Sequence, residues 1–126
     1  MGYELHIVRT KRSGERDPIT FDEWKSYVAA DTEMVLSGRA QVTGANGALI
    51  SYTNPGLAVW TKYSGQNRNG NMVWFNHSRG KISVKNPDRE IALKMLEIAK
   101  KLSARLVGDE GEDYSDPVLF ERSFPT

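Results

Sequence analysis

The side chains that could support acid–base or nucleophilic chemistry in this sequence are few. The 126 residues include two histidines, His6 and His77, and no cysteine. No serine lies in a Gly-x-Ser-x-Gly motif, so the nucleophile of a serine triad has no sequence signature. The two histidines could serve as the acid and base of a metal-free ribonuclease, with Lys81 or Arg79 stabilising the phosphorane. A histidine-dependent hydrolase is therefore one hypothesis, alongside ordinary solvated or hydrogen-bonded histidines.

Metal and nucleotide sites have no recognisable motif. Cysteine ligands and a His-x-x-x-His pair are absent from the sequence, and the acidic run at residues 109–113 lacks the spacing of a calcium-binding loop. The glycine patterns of dinucleotide-binding folds and of the P-loop are also absent. We therefore predict neither a cofactor nor a metal site.

The net charge of +1 conceals a separation of charge along the chain. Residues 34–87 contain no acidic residue and six basic ones, whereas residues 107–126 contain six acidic residues and one arginine. A separation of this kind bears on binding partners rather than on fold. It suggests two binding surfaces, one basic and one acidic.

The acid-free centre mixes aromatic and basic side chains, as single-stranded nucleic-acid surfaces do when rings stack on bases and cations meet phosphates. Strand alternation places Trp74 and Phe75 on opposite faces, so one of these rings is a candidate surface residue. A nucleic-acid-binding module is therefore an alternative hypothesis, although the pI of about 8.0 is low for a dedicated binder. Its candidate residues are Trp60, Arg68, Trp74, Arg79 and Lys81.

The acidic segment, residues 109–114, allows a different kind of binding. Dense carboxylates can imitate a phosphate backbone and block a basic site, such as that of a nuclease, while an aromatic ring anchors the contact. The alternative is a solvated segment that aids solubility. The candidate partner-binding residues are Asp109, Glu110, Glu112, Asp113 and Tyr114.

The elements that would position these residues follow from local patterns. Alternation from Tyr3 to Ile7 predicts a strand that directs His6 away from its apolar neighbours. Thr20 and Glu23 have the spacing of a capping box and predict a helix over residues 21–30. Short apolar runs separated by turn residues then predict a meander of four or five strands, with a tight hairpin turn at Asn46-Gly47.

A second helix is predicted after this meander, with Asn86 as its N-cap and Pro87 at its first position. Its apolar face includes Ile91, Met95 and Ile98. Residues 104–107 are compatible with either a continued helix or a final strand. The order of elements predicts an α+β fold, an antiparallel sheet of about five or six strands with two helices packed on it.

The length of the chain suits a single domain, which we assign to residues 1–114, with residues 115–126 as a C-terminal extension. Apolar runs such as residues 72–75 are far shorter than the roughly 20 residues of a membrane-spanning helix. The N-terminus also lacks the charged and apolar regions of a signal peptide. We therefore expect a cytoplasmic protein that does not associate with membranes, and the sequence does not indicate its oligomeric state.

Three segments carry a resemblance to a known class of proteins. They are Tyr3-Glu4-Leu5-His6-Ile7-Val8-Arg9, Ile19-Thr20-Phe21-Asp22-Glu23-Trp24 with Tyr27, and Lys85-Asn86-Pro87-Asp88 leading to the acidic segment with Gly108 before it. Residues 3–114 resemble small bacterial orphan proteins associated with the immunity proteins of polymorphic-toxin and contact-dependent growth-inhibition systems. The resemblance implies a non-enzymatic cytoplasmic protein that binds and blocks one cognate toxin domain.

Overall fold

A computed structural model describes residues 4–37, 39–43, 47, 49–63 and 73–125. It contains three helices and eight strands within these residues. In chain order they are β1 (Glu4–Val8), α1 (Phe21–Ala30), β2 (Met34–Leu36), β3 (Arg39–Thr43), β4 (Leu49–Thr53), β5 (Leu57–Trp60), β6 (Val73–Ser78), β7 (Lys81–Lys85), α2 (Arg89–Lys101), β8 (Arg105–Gly108) and α3 (Pro117–Ser123).

The chain divides into two compact units. The first unit comprises residues 1–20 and 78–126, and the second comprises residues 21–77. In the first, β1 is the middle strand and pairs antiparallel with β7 and β8. In the second, β5 is the middle strand and pairs antiparallel with β2 and β6. The predicted α+β class with antiparallel strands is confirmed.

The core of the first unit forms between α2 and the sheet. The predicted apolar face of α2 is buried through Ile91, Met95 and Ile98, as are Leu5 and Leu106 on the strands. Residues 105–108 form a strand rather than a continued helix, because Ser103 takes a left-handed conformation with φ of 55° and ends the helical path.

The N-cap of α2 is Asp88, and the prediction of Asn86 is wrong. The Asp88 carboxylate accepts a hydrogen bond from the backbone N–H of Ile91 at 2.9 Å. Asn86 instead has a positive φ of 49° and turns the chain at the end of β7. The cap role therefore falls to the next residue that can accept such a bond.

The C-terminal residues form a helix that the sequence reading did not predict. Asp116 caps α3 by accepting from the Val118 N–H at 3.1 Å, and Pro117 occupies the first turn. Arg89 binds both carboxylate oxygens of Glu121, at 2.9 and 3.0 Å, and also donates to the Phe124 carbonyl. The described part of the predicted extension thus packs within the first unit.

The second unit is organised around Trp24. Helix α1 has the predicted bounds, and it buries Trp24 and Val28. The indole N–H of Trp24 donates to the Gly56 carbonyl at 2.8 Å, and the ring stacks on Tyr27 with centroids 5.9 Å apart. The side chains of Ala58 and Phe75, on β5 and β6, are fully buried.

Strands β3 and β4 form a separate antiparallel ribbon, as the hairpin prediction required. Gly47 has the positive φ expected in the turn, at 82°, while Asn46 lies outside the described residues. Over the part of the chain that is described, no helix combines the length and apolar character needed to cross a membrane.

Candidate functional site

Strand pairing brings three polar side chains together in the first unit. His6 lies opposite Ser83 of β7 and Val107 of β8. Because strand side chains alternate, His6 points to the face opposite the core residues Leu5 and Ile7. Asp109 immediately follows β8 and lies beside the imidazole. We refer to these residues as the Ser83–His6–Asp109 chain.

The hydrogen bonds of this chain restrict where its protons can lie. His6 Nε2 is 2.7 Å from Asp109 Oδ1, and His6 Nδ1 is 2.6 Å from Ser83 Oγ. A carboxylate can only accept a hydrogen bond, so the proton between His6 and Asp109 is on Nε2. In the neutral imidazole, Nδ1 is then the acceptor, and the Ser83 hydroxyl donates to it. The imidazole is almost fully buried and has both of its nitrogens bonded.

Asp109 is held as a carboxylate by its partners. The hydrogen bond from His6, followed by one from the backbone N–H of Glu4 at 3.0 Å, lowers the pKa of Asp109 below its ordinary value. The positive charge of Lys81 acts in the same direction. Because the Asp109 side chain is still 49% exposed, it faces solvent while it is bonded to a buried base.

This lowered pKa predicts a pH-dependent contribution to stability. The carboxylate stabilises the fold above its unfolded pKa, and this contribution is lost as the pH falls through the lower folded pKa. We expect Asp109→Asn to lower the free energy of unfolding at neutral pH and to converge with the wild type in acid. Urea unfolding from neutral to about pH 2 measures this difference. Asp22→Asn controls for the loss of a carboxylate elsewhere, and a pH-independent gap for Asp109→Asn would contradict the prediction.

The remaining carboxylates of the acidic segment shape its backbone, and Glu112 is half-buried because its second oxygen also accepts from the Tyr114 hydroxyl at 3.3 Å. Glu112 Oε1 accepts from the Glu110 N–H at 2.9 Å, and Asp113 Oδ1 accepts from the Ser115 N–H at 3.0 Å. Asp113 also lies 3.6 Å from Arg105, and its side chain is 41% exposed. Glu110 is exposed. The segment is therefore an ordered acidic turn with accessible carboxylates.

Tyr114, the proposed aromatic anchor, lies in the core of the first unit instead. The residue is 9% exposed, and its ring packs edge-on against Phe124 with centroids 5.8 Å apart. Its backbone N–H donates to the Leu106 carbonyl at 2.7 Å, which joins the segment to the outer edge of β8. Its ring cannot serve as an exposed anchor, because it already fills space beneath α3.

An apolar groove lies beside the acidic segment, between α2, β8 and α3. Its volume is about 280 Å³. Leu93, at the groove, is 46% exposed, so it offers apolar surface to a partner. We call this feature the α2–α3 groove, and its lining consists of Leu93, Leu96, Ala99, Lys100, Ala104, Arg105, Tyr114, Ser115, Pro117, Phe120 and Glu121.

The candidate nucleic-acid residues are distributed over both units. Trp60 is only 6% exposed, and its indole N–H donates to Glu33 at 3.0 Å, so its ring is not available to stack on bases. Trp74 is half-buried opposite the fully buried Phe75, as alternation predicted. Trp60 and Trp74 belong to the second unit, whereas the exposed Arg79 and half-buried Lys81 belong to the first. Arg68 lies outside the described residues.

The two histidines also lie in different units. His77, on β6, donates its backbone N–H to the Gly56 carbonyl at 3.1 Å, and its ring packs against Phe21. The hydrogen-bond partners of His6 are Ser83 and Asp109. The sequence analysis predicted neither of them. The only sequence signal was the outward direction of His6 within β1. Among the described side chains, no group of three or more His, Asp or Glu residues is placed to hold a metal ion.

Comparisons with known proteins found no similar protein. No protein-family model, no curated protein and no solved structure matches this chain.

Proposed function

We propose that this protein is a cytoplasmic, immunity-type protein that binds a cognate bacterial toxin domain and neutralises it without catalysing a reaction on it. This is the class of function that the resemblance of residues 3–114 implies. The observation that carries the proposal is the acidic segment, whose backbone is fixed by hydrogen bonds while the carboxylates of Asp109, Glu110 and Asp113 remain accessible.

The fixed backbone favours binding because little conformational entropy remains to be lost. Gly108 donates its N–H to the Glu112 carbonyl at 2.9 Å, and Gly111 donates to the Gly108 carbonyl at 3.1 Å. Gly111 has a φ of 87°, which only glycine adopts readily. A loop that is already held in its bound shape loses less free energy on association than a flexible one.

The charge of the segment indicates the kind of surface that it would meet. Carboxylates complement a cationic surface, and electrostatic attraction mainly accelerates association and selects the partner. The active site of a nuclease is such a surface, because it binds phosphates. A nuclease domain is therefore our preferred toxin.

The α2–α3 groove adds the apolar contact that a stable interface needs. Interfaces commonly combine an apolar centre with a polar rim, and a few buried anchors supply most of the binding free energy. The groove shares Tyr114 with the acidic segment, and Arg105 at the groove lies 3.6 Å from Asp113. An apolar side chain of the toxin would occupy the groove while its basic residues meet the carboxylates.

Co-expression tests the proposal directly. The protein is expressed in a bacterial host together with the toxin domain encoded by the neighbouring gene, and growth is compared with that of cells expressing the toxin alone. We expect restored growth and a complex of the two purified proteins. Continued killing at equal expression, or the absence of a toxin gene beside this one, would contradict the proposed function.

Two pairs of variants then test the surface. Glu110→Lys should slow association and weaken its dependence on salt, whereas Glu15→Lys, at another exposed position, should not. Leu93→Asp should weaken binding by roughly tenfold or more if Leu93 is part of the anchor site. Val35→Asp is the matched control, because Val35 is an exposed apolar residue outside the groove. Unchanged binding by both Glu110→Lys and Leu93→Asp would exclude this surface.

A further inference from the structure

The Ser83–His6–Asp109 chain has the connectivity of a nucleophile, a base and an orienting acid. With a neutral imidazole, the Ser83 hydroxyl donates to His6 Nδ1 over 2.6 Å, within the range of a nucleophile poised on its general base. On its other side, the imidazole is hydrogen-bonded to a carboxylate at 2.7 Å. The two ring nitrogens are exchanged relative to a serine protease triad, but either nitrogen can accept a hydroxyl proton. We propose that Ser83 is an activated nucleophile that accepts acyl groups from carboxylic esters.

The surroundings of the imidazole favour the required proton transfer. The second oxygen of Asp109 accepts the Glu4 N–H, so the carboxylate is anchored on both oxygens and holds the imidazole in one tautomer. When Nδ1 takes the serine proton, the resulting imidazolium lies 2.7 Å from this negative charge. Because His6 is almost fully buried, water competes little for this interaction. Asp109 is thus a positioning residue for the base.

Two lysines of β7 lie on the same face as Ser83, together with the carboxylates of Glu4 and Asp109. Side chains alternate along β7, so Lys81 and Lys85 point to the same face as Ser83, while Ile82 and Val84 are buried on the other. Ser83 itself is half-buried and reaches the surface. Lys81 already acts on Asp109 through its charge, and an ammonium group on this face would stabilise the oxyanion that forms at an attacked carbonyl.

The reaction is a two-step acyl transfer. Ser83 Oγ bonds to the carbonyl carbon of the ester as its proton passes to His6 Nδ1. The bond to the alcohol then breaks, and the leaving oxygen takes the proton from Nδ1. A solvent water, deprotonated by the same nitrogen, attacks the acyl-serine, which releases the carboxylic acid and returns the proton to Ser83.

Labelling of the full-length protein with a fluorophosphonate tests the nucleophile. Here the serine oxygen bonds to phosphorus, fluoride leaves, and the hydroxyl proton passes to His6. Peptide mass mapping should locate the label on Ser83 at a rate roughly 10²-fold above that of the exposed Ser13. Labelling rates are measured across a range of pH. Labelling of Ser83 no faster than that of Ser13 would overturn the proposal.

Variants test whether Ser83 reacts because His6 activates it or only because it is exposed. Ser83→Ala should remove the label, and His6→Gln should reduce labelling of Ser83 to the level of Ser13. If His6→Gln does not fold, Asp109→Asn replaces it as the test. Loss of the Asp109 charge should slow labelling of Ser83 and shift its pH profile. Circular dichroism checks that this variant keeps its fold. Unchanged rate and profile in a folded His6→Gln or Asp109→Asn variant would refute activation. Ser83→Ala should still protect against the toxin, so this inference and the proposed function fail separately.

Discussion

Trp24→Ala is expected to lower the free energy of unfolding by about 3–5 kcal/mol, the usual range for removing a large buried aromatic side chain. Trp24 is fully buried and stacks on Tyr27. The substitution also removes the indole N–H that the Gly56 carbonyl accepts at 2.8 Å. That carbonyl retains the N–H of His77, so most of the loss arises from the cavity and the lost stacking.

Chemical denaturation followed by far-ultraviolet circular dichroism measures this loss. Trp74→Ala is the matched control because it removes the same atoms from a half-buried position, and its cost should be clearly smaller. Trp24→Phe retains most of the buried ring and loses the donor, for an expected cost of about 1–2 kcal/mol. Equal losses for Trp24→Ala and Trp74→Ala would show that burial does not govern the effect.

Gly80→Ala is expected to cost about 2–5 kcal/mol, from backbone strain and a steric clash together. Gly80 has a φ of 78° in the turn between β6 and β7, a conformation that is unfavourable for alanine. A Cβ atom at this position would lie 2.6 Å from Pro18 Cβ and 3.1 Å from Pro18 Cα. The Gly80 carbonyl also accepts the Ile19 N–H at 2.9 Å, so the turn and the segment before α1 cannot separate freely.

Gly14→Ala separates the two contributions to this cost. Gly14 has a φ of 91°, but a Cβ atom there would have no neighbour within 4 Å. Its substitution should therefore cost only the strain, about 1–2 kcal/mol. The difference between the two variants in the same denaturation experiment gives the cost of the contact with Pro18. Equal losses at the two positions would mean that the close approach has no energetic effect.

Elements with strong local signals were predictable, and those that depend on distant partners were not. The bounds of α1 followed from the capping-box spacing of Thr20 and Glu23 and from the apolar residues after them. Helix α3 has a cap and a proline at its start, but it has only seven residues. Its Glu121 is hydrogen-bonded to Arg89, which lies 32 residues earlier in the sequence. Helices this short depend on tertiary contacts, and a local pattern does not reveal those contacts.

In the candidate site too, features with a local sequence signal were predictable, and those that depend on distant residues were not. Charge counting identified the acidic segment, and strand alternation predicted that the His6 side chain points away from the core. Neither observation could pair His6 with Ser83, because that pairing depends on the register of β1 between β7 and β8. The position of Tyr114 beside the carboxylates predicts an anchor ring, but the sequence does not reveal that Phe124 packs on this ring and that Tyr114 is therefore buried.

The central position of β1 has a consequence for synthesis on the ribosome. β1 is translated before the other described strands, yet its cross-strand neighbours come from β7 and β8, and His6 and Ser83 are 77 residues apart. All of residues 21–77 emerge before β7 does, so β1 must wait for its neighbours through most of translation. Contacts so distant in sequence form slowly, and an unpaired strand is prone to associate with other chains. In the nascent chain, β1 is therefore the strand that stays unpaired the longest.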